Sequence, residues 1–125
     1  MILDTCALLF LASGDRRLSR ALRERLSKAP ARWFCAISGF ELALKHRQRK
    51  LRLPLPPLPW LRAVAERYAL TEVPLDSALC AAAALLPPHH RDPCDRFIIA
   101  AAQRLGVPVV TVDLKFSDYG VEVLS

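Results

Sequence analysis

The run Val107-Pro108-Val109-Val110-Thr111-Val112 is almost wholly apolar. Successive side chains of a strand point to opposite faces of a sheet, so a strand with no polar face must be covered on both sides. Four more stretches have strand character: Met1 to Asp4, Trp33 to Ile37, Thr71 to Leu75 and Val121 to Leu124. Helical segments separate them. Thr5 to Ala12 is apolar enough for a buried helix and stops at Ser13-Gly14, while Arg16 to Lys28 is amphipathic, with Leu18, Leu22 and Leu26 on one face. Ser38 to Arg49 and Trp60 to Leu70 read as helices, and Asp76 caps an alanine-rich one through Leu86. Asp92-Pro93 starts the last helix, which runs to Leu105 and stops at Gly106. Strands alternating with helices imply an α/β fold: a three-layer sandwich whose mostly parallel central sheet of four to five strands is flanked by helices.

Leu53 to Pro59 carries four prolines, which remove backbone donors and fix φ, so it is expected to be a stiff connector outside regular helix. Its leucines would pack on the core, and a polyproline ligand for an aromatic groove is the alternative. With 125 residues, the expectation is one domain spanning residues 1–125. Hydrophobic residues make up 53% and charged residues 24%, a globular balance rather than a disordered one. No apolar run reaches the ~18 residues of a membrane span, and Asp4, Asp15, Arg16 and Arg17 interrupt the start in a way no secretory signal does. A cytoplasmic protein is expected. Cys6, Cys35, Cys80 and Cys94 lack paired spacing and lie beside apolar elements, so they read as buried hydrophobes with free thiols.

Four acids stand where such a fold would gather them. Asp4 closes the first strand and Asp113 the fourth, while Glu41 and Asp95 lie just inside helix starts. Strand C-termini and helix N-termini share one edge of an α/β sheet, where ligands bind. Together these carboxylates would repel one another unless a cation were present. Each has a structural alternative. Ser38-Gly39-Phe40-Glu41 matches a capping box, and Asp92 and Asp95 suit the first turn of a helix after Asp92-Pro93. Turn formation would account for one of the two strand-end aspartates. Asp92 is left between membership of the site and simple capping.

Oxygen ligands suit Mg²⁺ or Mn²⁺, and a pair of such ions can activate water on one side of a phosphodiester and stabilise the leaving oxygen on the other. Thr5, Ser38 and Thr111 lie beside the acids and would orient them. Lys45 stands four residues after Glu41, placed either to pair with it or to touch a substrate phosphate. His46, His89 and His90 are not spaced as a metal triad and are expected in solvated or phosphate-contacting positions; Asp118 reads as part of an ordinary loop. The net charge of +6 rests on 18 basic and 12 acidic residues. With the four acids set aside, the remainder carries +10, a basic body that would attract a phosphate polymer.

At Leu3-Asp4-Thr5, Ser38-Gly39-Phe40-Glu41, His89-His90-Arg91-Asp92-Pro93-Cys94-Asp95-Arg96 and Val110-Thr111-Val112-Asp113 the chain resembles PIN-domain ribonucleases, specifically the VapC-type toxins of toxin–antitoxin systems. The order and spacing of these motifs match from end to end. The resemblance implies a PIN-like sandwich with Mg²⁺ or Mn²⁺ held by Asp4, Glu41, Asp95 and Asp113. It implies cleavage of RNA by metal-activated water, a homodimer, and silencing by a cognate antitoxin protein. Cys6 stands where a histidine is common and Val112 where a polar residue is usual; neither change removes a proposed ligand. The competing expectations are a non-catalytic PIN-like module binding RNA or protein, and a related metal-dependent DNA nuclease.

Overall fold

The computed structural model describes residues Met1–Ser125. Its elements are β1 (Ile2–Leu3), α1 (Thr5–Ser13), α2 (Arg20–Lys28), β2 (Trp33–Cys35), α3 (Ile37–Arg47), α4 (Pro57–Arg67), β3 (Thr71–Val73), α5 (Ser77–Leu85), α6 (Pro93–Leu105), β4 (Val109–Val110), a 3₁₀ turn (Leu114–Tyr119) and β5 (Val123–Leu124). The five strands order as β3-β2-β1-β4-β5, and every pairing is parallel. β1 pairs with β2 on one side and β4 on the other. The strand order therefore reverses at β1, which makes its carboxyl end the topological switch point where ligand crevices form in open α/β sheets.

The period of two sorts the strands onto two cores. Leu3, Phe34, Val110 and Leu124 face a cluster with Leu8 and Leu11 of α1, Leu22 and Leu26 of α2, and Trp60, Leu61 and Val64 of α4. Their neighbours Ile2, Cys35, Val73 and Val109 face Leu79 of α5 and Ile98, Ile99 and Ala101 of α6. Each fully buried leucine, isoleucine or phenylalanine contributes roughly 1.5–3 kcal/mol. Both faces of the sheet are thus covered, as the apolar run at Val107 to Val112 requires.

Several boundaries differ from expectation, each for a local reason. The amphipathic helix begins at Arg20, not Arg16: the Asp15 carboxylate accepts from the Arg17 amide and guanidinium, and Ser19 caps α2 through the Leu22 amide. Arg23 closes that junction by donating to the carbonyls of Phe10, Leu11, Asp15 and Leu18. Pro57 and Pro59 lie in the first turn of α4 rather than in a connector, because amides there have no intrahelical acceptor to lose. Leu51 and Leu53 pack on the first core, whereas Leu55 and Leu58 of the proline-rich stretch stay exposed. The Val107–Val112 strand is paired only at Val109–Val110, and Val112 turns out to solvent where the chain leaves the sheet. Asp118, expected in an ordinary loop, lies in the 3₁₀ turn, with Phe116 fully buried beneath it.

Candidate active site

Asp4 leaves β1 and becomes the N-cap of α1: Oδ1 accepts from the Ala7 amide at 2.7 Å. Asp113 leaves β4 and caps the 3₁₀ turn, with Oδ1 accepting from the Lys115 amide at 2.9 Å. Capping therefore occupies one oxygen of both strand-end aspartates, not of one alone. The second oxygen of each meets a side chain, Thr111 for Asp4 and His90 for Asp113. Thr111 Oγ1 donates to Asp4 Oδ2 and accepts from the Asp113 amide at 3.0 Å, so one buried hydroxyl ties the ends of β1 and β4 together.

Glu41 and Ser38 do not form the capping box. The chain turns into α3 directly after β2, so the helix already starts at Ile37, and its N-cap, Ala36, has no side chain to offer. Ser38 Oγ, fully buried, meets Thr5 Oγ1 at 2.9 Å and joins α3 to α1. Glu41 is 8% exposed, and its Oε2 pairs with Lys45 Nζ at 3.1 Å, the i,i+4 option left open by the spacing. Its Oε1 is buried with no hydrogen-bond partner.

The α6 side supplies the rest. Asp92 caps α6, Oδ1 accepting from the Cys94 amide at 2.9 Å, and Asp95 follows in the first turn. His90 lies buried at 9% exposure, contrary to the solvated position expected of it, with Nε2 2.9 Å from Asp113 Oδ2 and 3.0 Å from Asp95 Oδ2. Ligand atoms of His90, Asp95 and Asp113 all lie within 4.8 Å of one another. Asp4 and Glu41 stand outside that tightest group but act on it electrostatically. The other histidines stay outside the site: His46 is exposed in α3, and His89, also exposed, stacks edge-on against Tyr119. Asp118 is exposed in the 3₁₀ turn.

Burial pushes the Asp4 carboxyl up to about 6, against the hydrogen bonds from Thr111 and Ala7, and the charges of Glu41 and Asp113 add to the rise. Burial also pushes Asp95 up to about 7, reinforced by Asp92, opposed by His90 and raised further by Glu41 and Asp4. Asp113 differs. Burial pulls it upward too, but the hydrogen bonds from Lys115 and His90 outweigh that and leave it below the ordinary carboxylate range. Burial raises the Cys94 thiol to about 12, with help from Glu41, Asp92 and Asp95. The groups gathered here are carboxylates and one imidazole. Carboxylate oxygens that predominate over a single imidazole, carboxyls that resist ionisation beside one another, and the orphaned Glu41 Oε1 together fit a hard divalent cation.

Sequence reasoning missed His90 and the two residues that hold its loop, Arg96 and Tyr119. Arg96 donates to the carbonyls of Ala84, Leu86, Pro87 and His90, and Tyr119 Oη takes the His90 amide at 2.6 Å while donating to Pro87 O. The only local signal was the position of His90 two residues before a helix cap, where its Nδ1 can take the Asp92 amide.

The PIN domain family model matches residues 1–122. Ribonuclease VapC22 of Mycobacterium tuberculosis is 32% identical over 120 residues, covering 95% of this chain and 91% of the relative. The fold is similar to that of VapBC2 from Rickettsia felis bound to a DNA fragment from their promoter, with a TM-score of 0.71 at 15% identity, covering 98% of this chain and 96% of that one. It is likewise similar to DNA-bound VapBC from Salmonella typhimurium, with a TM-score of 0.70 at 20% identity over 98% and 95% of the two chains.

Proposed function

Since the chain belongs to the PIN-domain family, we propose that it is a metal-dependent endoribonuclease toxin of the VapC type, silenced by a cognate antitoxin. The observation that carries this reading is the convergence of Asp4, Glu41, Asp95 and Asp113 on the carboxyl edge of the sheet beside β1. These four residues would hold Mg²⁺ or Mn²⁺, and Asp92, the cap of α6, acts on Asp95 through its charge. Bound there, the cation supplies activation of water and stabilisation of the leaving oxygen.

The chain's own residues supply the rest. Thr111 fixes the spacing of Asp4 and Asp113, and the Thr5–Ser38 contact fixes α1, which Asp4 caps, against α3, which carries Glu41. Lys45, half-buried beside Glu41, is placed to exchange its partner for a substrate phosphate. The +10 carried outside the four acids draws RNA to the surface around an acidic centre. Support for protein partners comes from Phe40 and Leu44 on α3 and Leu58 on α4, large apolar side chains left exposed. This reading assigns that surface to the antitoxin and to a second copy of the chain. No helix is long and apolar enough to cross a membrane.

The deciding experiment is digestion of RNA and, in parallel, single-stranded DNA by the purified protein with Mg²⁺ or Mn²⁺ and with excess EDTA. The expected result is RNA cleavage that EDTA abolishes, leaving 5′-phosphate and 3′-hydroxyl ends. Cleavage undiminished by EDTA, or ends bearing a 2′,3′-cyclic phosphate, would refute the mechanism. Preferential cutting of DNA would refute the substrate.

A further inference from the structure

The environment of His90 assigns it a definite part in the site. Its ring touches three groups: Asp113 Oδ2 at 2.9 Å and Asp95 Oδ2 at 3.0 Å through Nε2, and the Asp92 amide at 3.1 Å through Nδ1. A backbone amide only donates, so Nδ1 carries the lone pair and the ring proton resides on Nε2. That proton points between two carboxylate oxygens. A metal-binding imidazole has the reverse arrangement: a lone pair facing the ion and the other N–H given to a carbonyl or carboxylate. By distance alone His90, Asp95 and Asp113 qualify as a three-ligand group, yet the Asp92 amide opposes ligation by His90.

We propose that His90 is a positioning residue which donates to Asp95 and Asp113, holds their oxygens ready for the cation, and stays out of the coordination sphere itself. The inference rests on the metal-dependent reading of the site. Two carboxylates so close repel one another, and a shared donor holds them together without adding a ligand. The ring has little freedom to do anything else. Its backbone amide is held by Tyr119 Oη at 2.6 Å and its carbonyl by Arg96. The ring edge meets Phe116 at 5.9 Å between centroids and 89° between planes. Tyr119 and Phe116 belong to the 3₁₀ turn that Asp113 caps, and Arg96 to the helix that carries Asp95. His90 thus joins the α5–α6 loop, α6 and the 3₁₀ turn at the point where two of the acids meet.

The test is Mn²⁺ binding to the purified full chain, followed by electron paramagnetic resonance, for wild type, His90→Ala, His90→Phe and His90→Gln. Phenylalanine keeps bulk without a donor; glutamine offers an N–H at similar reach. Losing a group that orients metal ligands is expected to weaken Mn²⁺ affinity ~10- to 100-fold in His90→Ala and His90→Phe. His90→Gln is expected to recover most of it, which a merely structural role would not produce. Electron spin echo modulation of wild-type Mn²⁺ is expected to lack the nitrogen coupling of a bound imidazole, a readout that needs no variant to fold. Imidazole coupling in the wild type, or undiminished Mn²⁺ affinity in His90→Ala and His90→Phe, would overturn the assignment of His90. No Mn²⁺ binding by the wild type would instead overturn the metal site itself, and this inference with it.

Discussion

The two sides of the acidic crevice are built differently. On the sheet side, Asp4 and Glu41 are nearly inaccessible: Lys45, one turn on, pairs with Glu41, while the nearby Ala7 amide and the distant Thr111 hydroxyl hold Asp4. On the α6 side, Asp95 is mostly buried and Asp113 about one-third exposed, and the two are tied together by His90, whose loop is fastened by Arg96 and Tyr119. Burial raises Asp4, whereas hydrogen bonds hold Asp113 below the usual range. Burial raises Asp95 on the α6 side as well, to about 7, so the difference lies in Asp113, whose hydrogen bonds favour its charge while Asp4 and Asp95 carry an electrostatic cost.

The widest separation between the two sides is expected from paired isosteric substitutions. Asp4→Asn and Asp113→Asn should each lower RNA cleavage by ~1,000-fold, about 4 kcal/mol of transition-state stabilisation. Their effects on metal-free folding should have opposite signs. Asp4→Asn removes a buried charge and should raise the melting temperature near pH 7.5, whereas Asp113→Asn weakens acceptors of the His90 and Lys115 hydrogen bonds and should cost ~1 kcal/mol. Melting curves of the two variants in EDTA would test this, and shifts of the same sign would erase the distinction.

A smaller effect is expected at the hydroxyl joining the two sides. Thr111→Val leaves the Asp113 amide without its acceptor and Asp4 Oδ2 without its donor, a loss of ~1–3 kcal/mol in stability together with weaker metal binding. Thr111→Ser should recover both. Denaturant titration of the pair measures the difference, and a neutral Thr111→Val would show that the bridge contributes nothing.

The metal-free protein should also show a pH signature. A carboxyl with a higher pKa in the folded than in the unfolded chain binds its proton more tightly when folded. Stability from Asp4 and Asp95 is therefore fully present below the ordinary carboxylate range near ~4, and it declines as pH rises through about 6 and about 7. Melting temperatures in EDTA between those limits should fall, and Asp95→Asn should flatten the upper part of the curve. A flat wild-type profile would contradict the buried-charge description. The smallest effect is expected at Lys45, the side chain paired with the buried Glu41 carboxylate. Lys45→Gln keeps an N–H donor there but not the charge, and should lower stability by ~1 kcal/mol, read as a lower melting temperature.

Much of the sheet side was legible in the chain because its determinants are local. An apolar run ended by aspartate, followed at once by a helix, places Asp4 without knowledge of anything distant, and the i,i+4 spacing places Lys45 on Glu41. A mostly parallel sheet of four to five strands followed from strands alternating with helices, and the sheet has five, all parallel. The capping-box reading of Ser38 failed because that motif does not encode how soon a helix follows a strand. Arg16 to Leu18 looked helical because the periodicity is blind to Asp15 capturing the Arg17 amide. His90 was out of reach for a deeper reason. Its role depends on Asp113, 23 residues away, and on Tyr119, 29 residues away, contacts that exist only once α6 and the 3₁₀ turn have docked.

The most direct measurement is thermal melting of wild type and Asp4→Asn at pH 7.5 with increasing Mn²⁺, because a ligand bound only by the folded state raises stability with its concentration. The wild type should melt progressively higher, by the equivalent of ~2.7 kcal/mol at a hundredfold excess over the dissociation constant, while Asp4→Asn, folded and more stable at the outset, should scarcely respond. Equal Mn²⁺ stabilisation of the two proteins would mean that the buried carboxylate at the end of β1 does not hold the cation.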